Sequence, residues 1–233
     1  MAHRDRLLRR LVLLLAPWMP LSLYAADAVH NHVGNGLPRP PSDQAFSEFS
    51  HHLAGWFVLA LAAGEFRNAL WPARWVWARA LPAIGLLGAG LWLLVWSDID
   101  TWAPAAGFIQ PFLAGDWEAI QHKIYAALLL SIGAIEWLRQ QGRLTHAAWR
   151  WPLPLFAIAG GALLVPHMHH AAGDLRLIQQ HHQLLGATAV LAGLVKLAPE
   201  VPGASWAQRR DRWDVAWAAL VLLIGIELLL YAE

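Results

Sequence analysis

Six apolar runs, each close to the length of a bilayer-spanning helix, dominate this chain. They lie near residues 48–69, 80–97, 118–138, 151–169, 179–198 and 213–232. A helix needs about 20 mostly apolar residues to cross the hydrocarbon core. Six of them within 233 residues leave only short connections between. A backbone in lipid must satisfy its own hydrogen bonds, so such runs become helices. The expected fold is therefore all-α, a polytopic membrane bundle of six transmembrane helices over residues 48–233. Composition agrees: 58% of residues are apolar and 14% are charged, against roughly 25% charged in a soluble domain.

The first 28 residues predict a signal peptide. Arg4, Arg6, Arg9 and Arg10 form a basic start, Leu11–Leu15 open an apolar stretch, and Ala26-Asp27-Ala28 supplies the small residues of a cleavage site. Residues 29–47 are polar and rich in Gly and Pro, as expected of a periplasmic tail. Both segments put the chain from Val29 to the start of the first helix on the far side of the inner membrane.

Positive charge orients the bundle. Arg67, Arg74 and Arg79 follow the first helix. Arg139, Arg143 and Arg150 follow the third. Lys196, Arg209, Arg210 and Arg212 follow the fifth. The opposite ends carry only Lys123 and Arg176, with Arg39 in the tail. The basic turns are expected in the cytoplasm, and both termini in the periplasm.

The histidines then fall on one side. His51 and His52 begin the first helix, and His122 lies near the start of the third. His167, His169 and His170, with Met168 among them, end the fourth, and His181 and His182 begin the fifth. With His30 and His32, ten of the twelve histidines are external; His3 and His146 are not.

A repeat of three hairpins accounts for part of this pattern. His51 is followed fourteen residues later by Glu65, His122 by Glu136, and His182 by Lys196. Gly88-Ala89-Gly90 and Ala159-Gly160-Gly161 recur 71 residues apart in the return helices. Small residues let transmembrane helices approach closely.

Imidazoles at membrane depth are costly unless they have partners or work to do. The chain has no Cys, which excludes disulfides, thiolate metal sites and covalent haem. Imidazole with thioether suits copper. The expected ligands are His51, His52, His122, His167, Met168, His169, His170, His181 and His182. Asp98, Asp100, Glu118 and Asp174 stand near enough in sequence to orient ring N–H groups. Haem b is the alternative cofactor, with His52 or His122 facing His181 or His182 across a slot beside Gly55, Ala126 and Gly186. A third reading is a structural or assembly subunit whose histidines line an interface. Zinc would accept the same histidines with a carboxylate, but there is no HExxH. No Ser/His/Asp motif, phosphate loop or dinucleotide fingerprint points to an enzyme, and nothing points to nucleic acid. Glu65 and Glu136 are expected to pair with Arg67 and Arg139. Glu227, in the outer half of the last helix, is a candidate acid behind the ligands.

Three stretches, SHHLAGWFVLALAAGEF, EAIQHKIYAALLLSIGAIEW and HMHH…QQHHQLLGATAVLAGLVKL, place histidine at a helix's outer end, small residues along it and a charge at its inner end. Over residues 48–198 this resembles the bacterial copper-resistance inner-membrane proteins of the CopD type. The resemblance implies periplasmic copper handling or uptake, with a periplasmic copper carrier or other membrane subunits as partners. The six helices after a signal peptide are fewer than that family leads one to expect.

Overall fold

Helices form where the apolar runs lie. The computed structural model describes residues 43–96, 117–165, 175–201 and 209–232. They form α1 (Asp43–Leu70), α2 (Leu81–Val95), α3 (Trp117–Gln140), α4 (Pro152–Leu164), α5 (Leu175–Leu197) and α6 (Arg210–Leu229). Short 3-10 turns lead into α2 (Val76–Ala80) and α4 (Ala147–Arg150), and one follows α5 (Ala198–Glu200). The described residues hold no strand, so the fold is all-α. α1 and α5 start furthest ahead of the apolar pattern, α1 at Asp43, inside the stretch read as tail, and α5 at Leu175. Polar residues extend both helices beyond their apolar part. The proposed signal peptide, most of the tail and the 98–116 loop lie outside the described residues.

Local chemistry sets the ends. Proline occupies the first turn of α2 and of α4, where its missing N–H costs no hydrogen bond. Gly142 stops α3 with a positive φ of 72°. Its N–H reaches Arg139 O at 2.9 Å, and Arg143 N–H reaches Leu138 O at 3.0 Å. That pair of bonds is the Schellman closure, and glycine takes its left-handed position without a Cβ clash.

The helices stand in a ring in chain order. α1 packs on α2 and α6, α2 on α3, α4 on α5, and α5 on α6; the α3–α4 seam is the least packed of the neighbouring pairs. Leu61 and Ala62 of α1, Leu86 of α2, Ile132 of α3, Leu153 of α4, Ala192 of α5, and Trp217 and Val221 of α6 form one buried core. Between α4 and α5 the backbones nearly touch. A Cβ on Gly161 would stand 2.6 Å from Gly186 O, and one on Gly186 would stand 2.5 Å from Gly161 O.

The outer surface of the ring is apolar too. Trp56 on α1, Leu91 on α2, Ile124 on α3, Leu163 on α4, Leu184 on α5 and Ile226 on α6 are all exposed. One described stretch, Val76–Val95, is by length and composition long and apolar enough to cross a membrane, with a mean hydropathy of 1.7.

Candidate histidine site and an ionic cavity

Two polar groupings occupy the two ends of the ring, with the apolar core between them. The first gathers around Tyr231, just past α6. The His51 ring stacks on it, with centroids 3.8 Å apart and planes at 15°. The His182 centroid is 6.0 Å from it and that of His181 is 5.3 Å away. His51 and His182, from α1 and α5, are 6.1 Å apart. His182 is only 1% exposed.

Backbone carbonyls orient two of these rings. His51 Nδ1 donates to Ser47 O at 2.8 Å, and His52 Nε2 donates to Tyr231 O at 3.0 Å. A carbonyl only accepts, so the bonded nitrogen carries the proton. In the neutral ring the lone pair is then at Nε2 of His51 and at Nδ1 of His52. This is how metal-binding histidines are commonly held: one nitrogen anchored, the other available to a ligand.

One turn before Tyr231, the Glu227 side chain is buried. Its Oε1 is 3.1 Å from Thr188 Oγ1, which also lies 2.9 Å from Leu184 O. Its Oε2 has no hydrogen-bond partner among the described residues. Glu227 therefore faces α5, as a buried acid beneath the aromatic cluster.

The sequence-derived candidates divide accordingly. His51, His52, His181 and His182 come together. His122 belongs to α3, which packs chiefly on α2. Its neighbour Lys123 is buried, and its Nζ donates to Leu94 O at 3.0 Å, placing a cation at the C-terminal end of α2 where the helix dipole favours one. His167, Met168, His169 and His170 lie outside the described residues, as do Asp98, Asp100 and Asp174. No group of three or more His, Cys, Asp or Glu among the described residues is placed to hold a metal ion on its own.

Haem meets a packing obstacle. Gly55 and Gly186 were expected to border a porphyrin. A Cβ on Gly55 would already stand 3.0 Å from Gly225 O, and Gly186 is closed against Gly161. Ala126 is fully buried. Neighbouring helices fill the space at these positions, and the Tyr231 ring lies among the imidazoles. The residues do not fit a haem slot.

At the opposite end, a cavity of about 510 Å³ is lined by ionic side chains from α1, α3, α5 and α6 and from the turns before α4 and after α5. Lys196 Nζ donates to Glu65 Oε2 at 2.7 Å and to Asp214 Oδ1 at 3.1 Å. It also lies 5.5 Å from the centroid of the Trp217 ring, within reach of a cation–π attraction. Arg139 bridges Glu136 at 2.5 Å, as the sequence predicts. Glu65 departs from expectation. Its partner is Lys196 of α5 rather than Arg67, whose guanidinium instead donates to Arg74 O, Pro72 O and Asn68 Oδ1. Arg67 lies in the last turn of α1, beside the α1–α2 connection, whose carbonyls need donors. The three residues matched by the fourteen-residue spacing, Glu65, Glu136 and Lys196, all line this one cavity.

Sequence reasoning missed Tyr231, Asp214 and Glu200. The signal available for Tyr231 was its scarcity, since it is one of three tyrosines. Asp214 follows a run of arginines and Glu200 stands between Pro199 and Pro202, and both read as ordinary solvated charges. No family model matches the chain, and neither a curated protein nor a solved structure matches it.

Proposed function

We propose that this chain is an inner-membrane copper-handling protein that captures the ion at its histidine end. The observation carrying this reading is the convergence of His51, His52, His181 and His182, from two helices, around Tyr231. Backbone carbonyls hold His51 Nδ1 and His52 Nε2, the kind of support that metal-binding histidines commonly have. His167, Met168, His169 and His170 follow α4 in sequence, and they are the donors proposed to complete the set. Imidazole with thioether favours copper over zinc.

The membrane placement rests on the surface. Large apolar side chains are exposed on all six helices, which costs free energy in water and is ordinary in lipid. Six helices in a ring are read as six spans, and the convergence of Glu65, Glu136 and Lys196 supports reading them as three hairpins. Arg139, Arg150, Lys196 and Arg210 share the ionic end, which supports reading that end as cytoplasmic and the histidine end as periplasmic. The core of Leu61, Ala62, Leu86, Ile132, Leu153, Ala192, Trp217 and Val221 separates the two ends. That separation supports capture and hand-over on the periplasmic face, to a carrier or a membrane partner, over passage through the bundle.

The test is a Cu(I) competition titration of the detergent-purified chain, with absorption spectra of the same sample. Wild type is expected to hold Cu(I) and to show no Soret band. Substituting His51→Gln with His182→Gln, glutamine keeping size and polarity, is expected to weaken binding by at least about tenfold. Unchanged affinity in a folded double variant would remove the site. A Soret band would replace copper with haem.

A further inference from the structure

The ionic cavity plays no part in copper capture, and its charge is unevenly arranged. Beside α1 and α5, one cation, Lys196, is held by two carboxylates, Glu65 and Asp214. Beside α3, α4 and α6 stand the guanidiniums. Arg150 and Arg210 both reach Oε1 of Glu200. Arg139 is bound to Glu136, and Arg210 is repelled by Arg150 and Arg139 and attracted by Asp214. Three guanidiniums gather on this side of the cavity against Glu136 and Glu200, with Asp214 shared between Arg210 and Lys196.

Neutral donors stand beside them. His146 Nδ1 accepts from Ala148 N–H at 3.2 Å, so the neutral ring carries its proton on Nε2. His146, Thr145 and Asn68 all line the cavity. Guanidinium forks match oxyanions with several acceptor oxygens, phosphate above all. Glu200 Oε1 accepts from Arg210 and lies 3.8 Å from Arg150 Nη1. Arg139 ends α3 and Arg150 precedes α4, so the arginines sit at the end of the least packed seam in the ring.

We propose that this cavity binds a phosphate-bearing anion through Arg139, Arg150 and Arg210. Two sources share that chemistry. An anionic phospholipid headgroup would enter from the cytoplasmic leaflet beside the α3–α4 seam, and a soluble phosphate compound would enter from the aqueous side. The lipid source rests on the proposed membrane placement; the site itself depends on neither that nor copper.

The experiment is calorimetry on the full chain in a neutral detergent. Three probes are used: inorganic phosphate, dihexanoyl-phosphatidylglycerol, and dihexanoyl-phosphatidylcholine as the zwitterionic control. Binding of either anionic probe without the control supports the site. Phosphatidylglycerol alone identifies a headgroup, and phosphate identifies a soluble ligand. Arg150→Gln with Arg210→Gln is expected to weaken the anion by at least about tenfold, while Cu(I) affinity stays at the wild-type value. Both side chains are 44% exposed, so folding should survive. If the pair fails to fold, Arg150→Gln alone is measured with the same expectation of weaker binding. The proposal is overturned if folded wild type binds neither anionic probe, if phosphatidylcholine binds equally well, or if a folded variant binds like wild type. The Cu(I) titration on these samples separates that failure from failure of the histidine site.

Discussion

Lys196 on α5 and Glu65 on α1, separated by 131 residues in sequence, meet at 2.7 Å. Their side chains are 21% and 10% exposed, and Asp214 completes the triad from α6. Removing the ammonium would leave two carboxylates close together at the edge of the core. Breaking a buried pair costs about 3–5 kcal/mol, and partial exposure puts this one toward the lower end. Lys196→Met should therefore lower the melting temperature of the detergent-solubilised chain clearly. Lys196→Met with Glu65→Leu should lose less, because one stranded charge is gone. Equal losses in the two would show that Glu65 is not what Lys196 holds.

Much of this was legible from spacing alone. Apolar runs gave the six helices, and the fourteen-residue interval singled out Glu65, Glu136 and Lys196, which share one cavity. The choice of partners was not legible. Glu136 pairs with Arg139 because three residues along a helix share a face. Glu65 and Arg67, two apart, do not face each other, so nearness in sequence misled. Hydropathy also carries no angular information: it cannot say that α6 returns to α1 and brings Tyr231 between His51 and His182. The grouping of histidines around an aromatic ring needed the order of helices around the bundle.

Close approach of α4 and α5 makes a paired prediction. A Cβ at Gly161 would stand 2.6 Å from Gly186 O, a backbone atom that cannot rotate away. At Gly160 the nearest atom would be Tyr125 Cε1 at 3.6 Å, an ordinary contact. Gly161→Ala should cost about 1–3 kcal/mol through overpacking. Gly160→Ala should be neutral or slightly stabilising, because alanine favours helix. Melting curves of the two variants in one detergent check this. Equal effects would mean the helices are not in backbone contact there.

Thr188 is the hydrogen-bonding partner shown for the Glu227 carboxyl, at 3.1 Å. Thr188→Val keeps the shape and removes the hydroxyl, leaving a buried carboxyl unsatisfied at a cost of about 1–3 kcal/mol. Thr188→Val with Glu227→Leu removes both polar groups and should recover part of that loss. A melting-temperature cycle over the two singles and the double measures the coupling. Additive losses would show that the 3.1 Å contact contributes nothing.

Tyr231 holds the histidine end in two ways, and substitutions separate them. Its ring stacks on His51 at 3.8 Å, and its backbone carbonyl accepts from His52 Nε2. Tyr231→Phe retains both the ring and the carbonyl. Tyr231→Ala retains only the carbonyl and opens a hole beside His51 and His182, so the rings lose the packing that fixes their rotamers. If these imidazoles take up Cu(I), affinity should fall more in Tyr231→Ala than in Tyr231→Phe, because ligands that must be ordered on binding charge that entropy to the complex. The same competition titration, run on both variants, gives the comparison. A greater loss in Tyr231→Phe would assign the role to the phenol oxygen instead of the ring. No loss in either would place the copper ligands away from Tyr231, and with them the site proposed around His51 and His182.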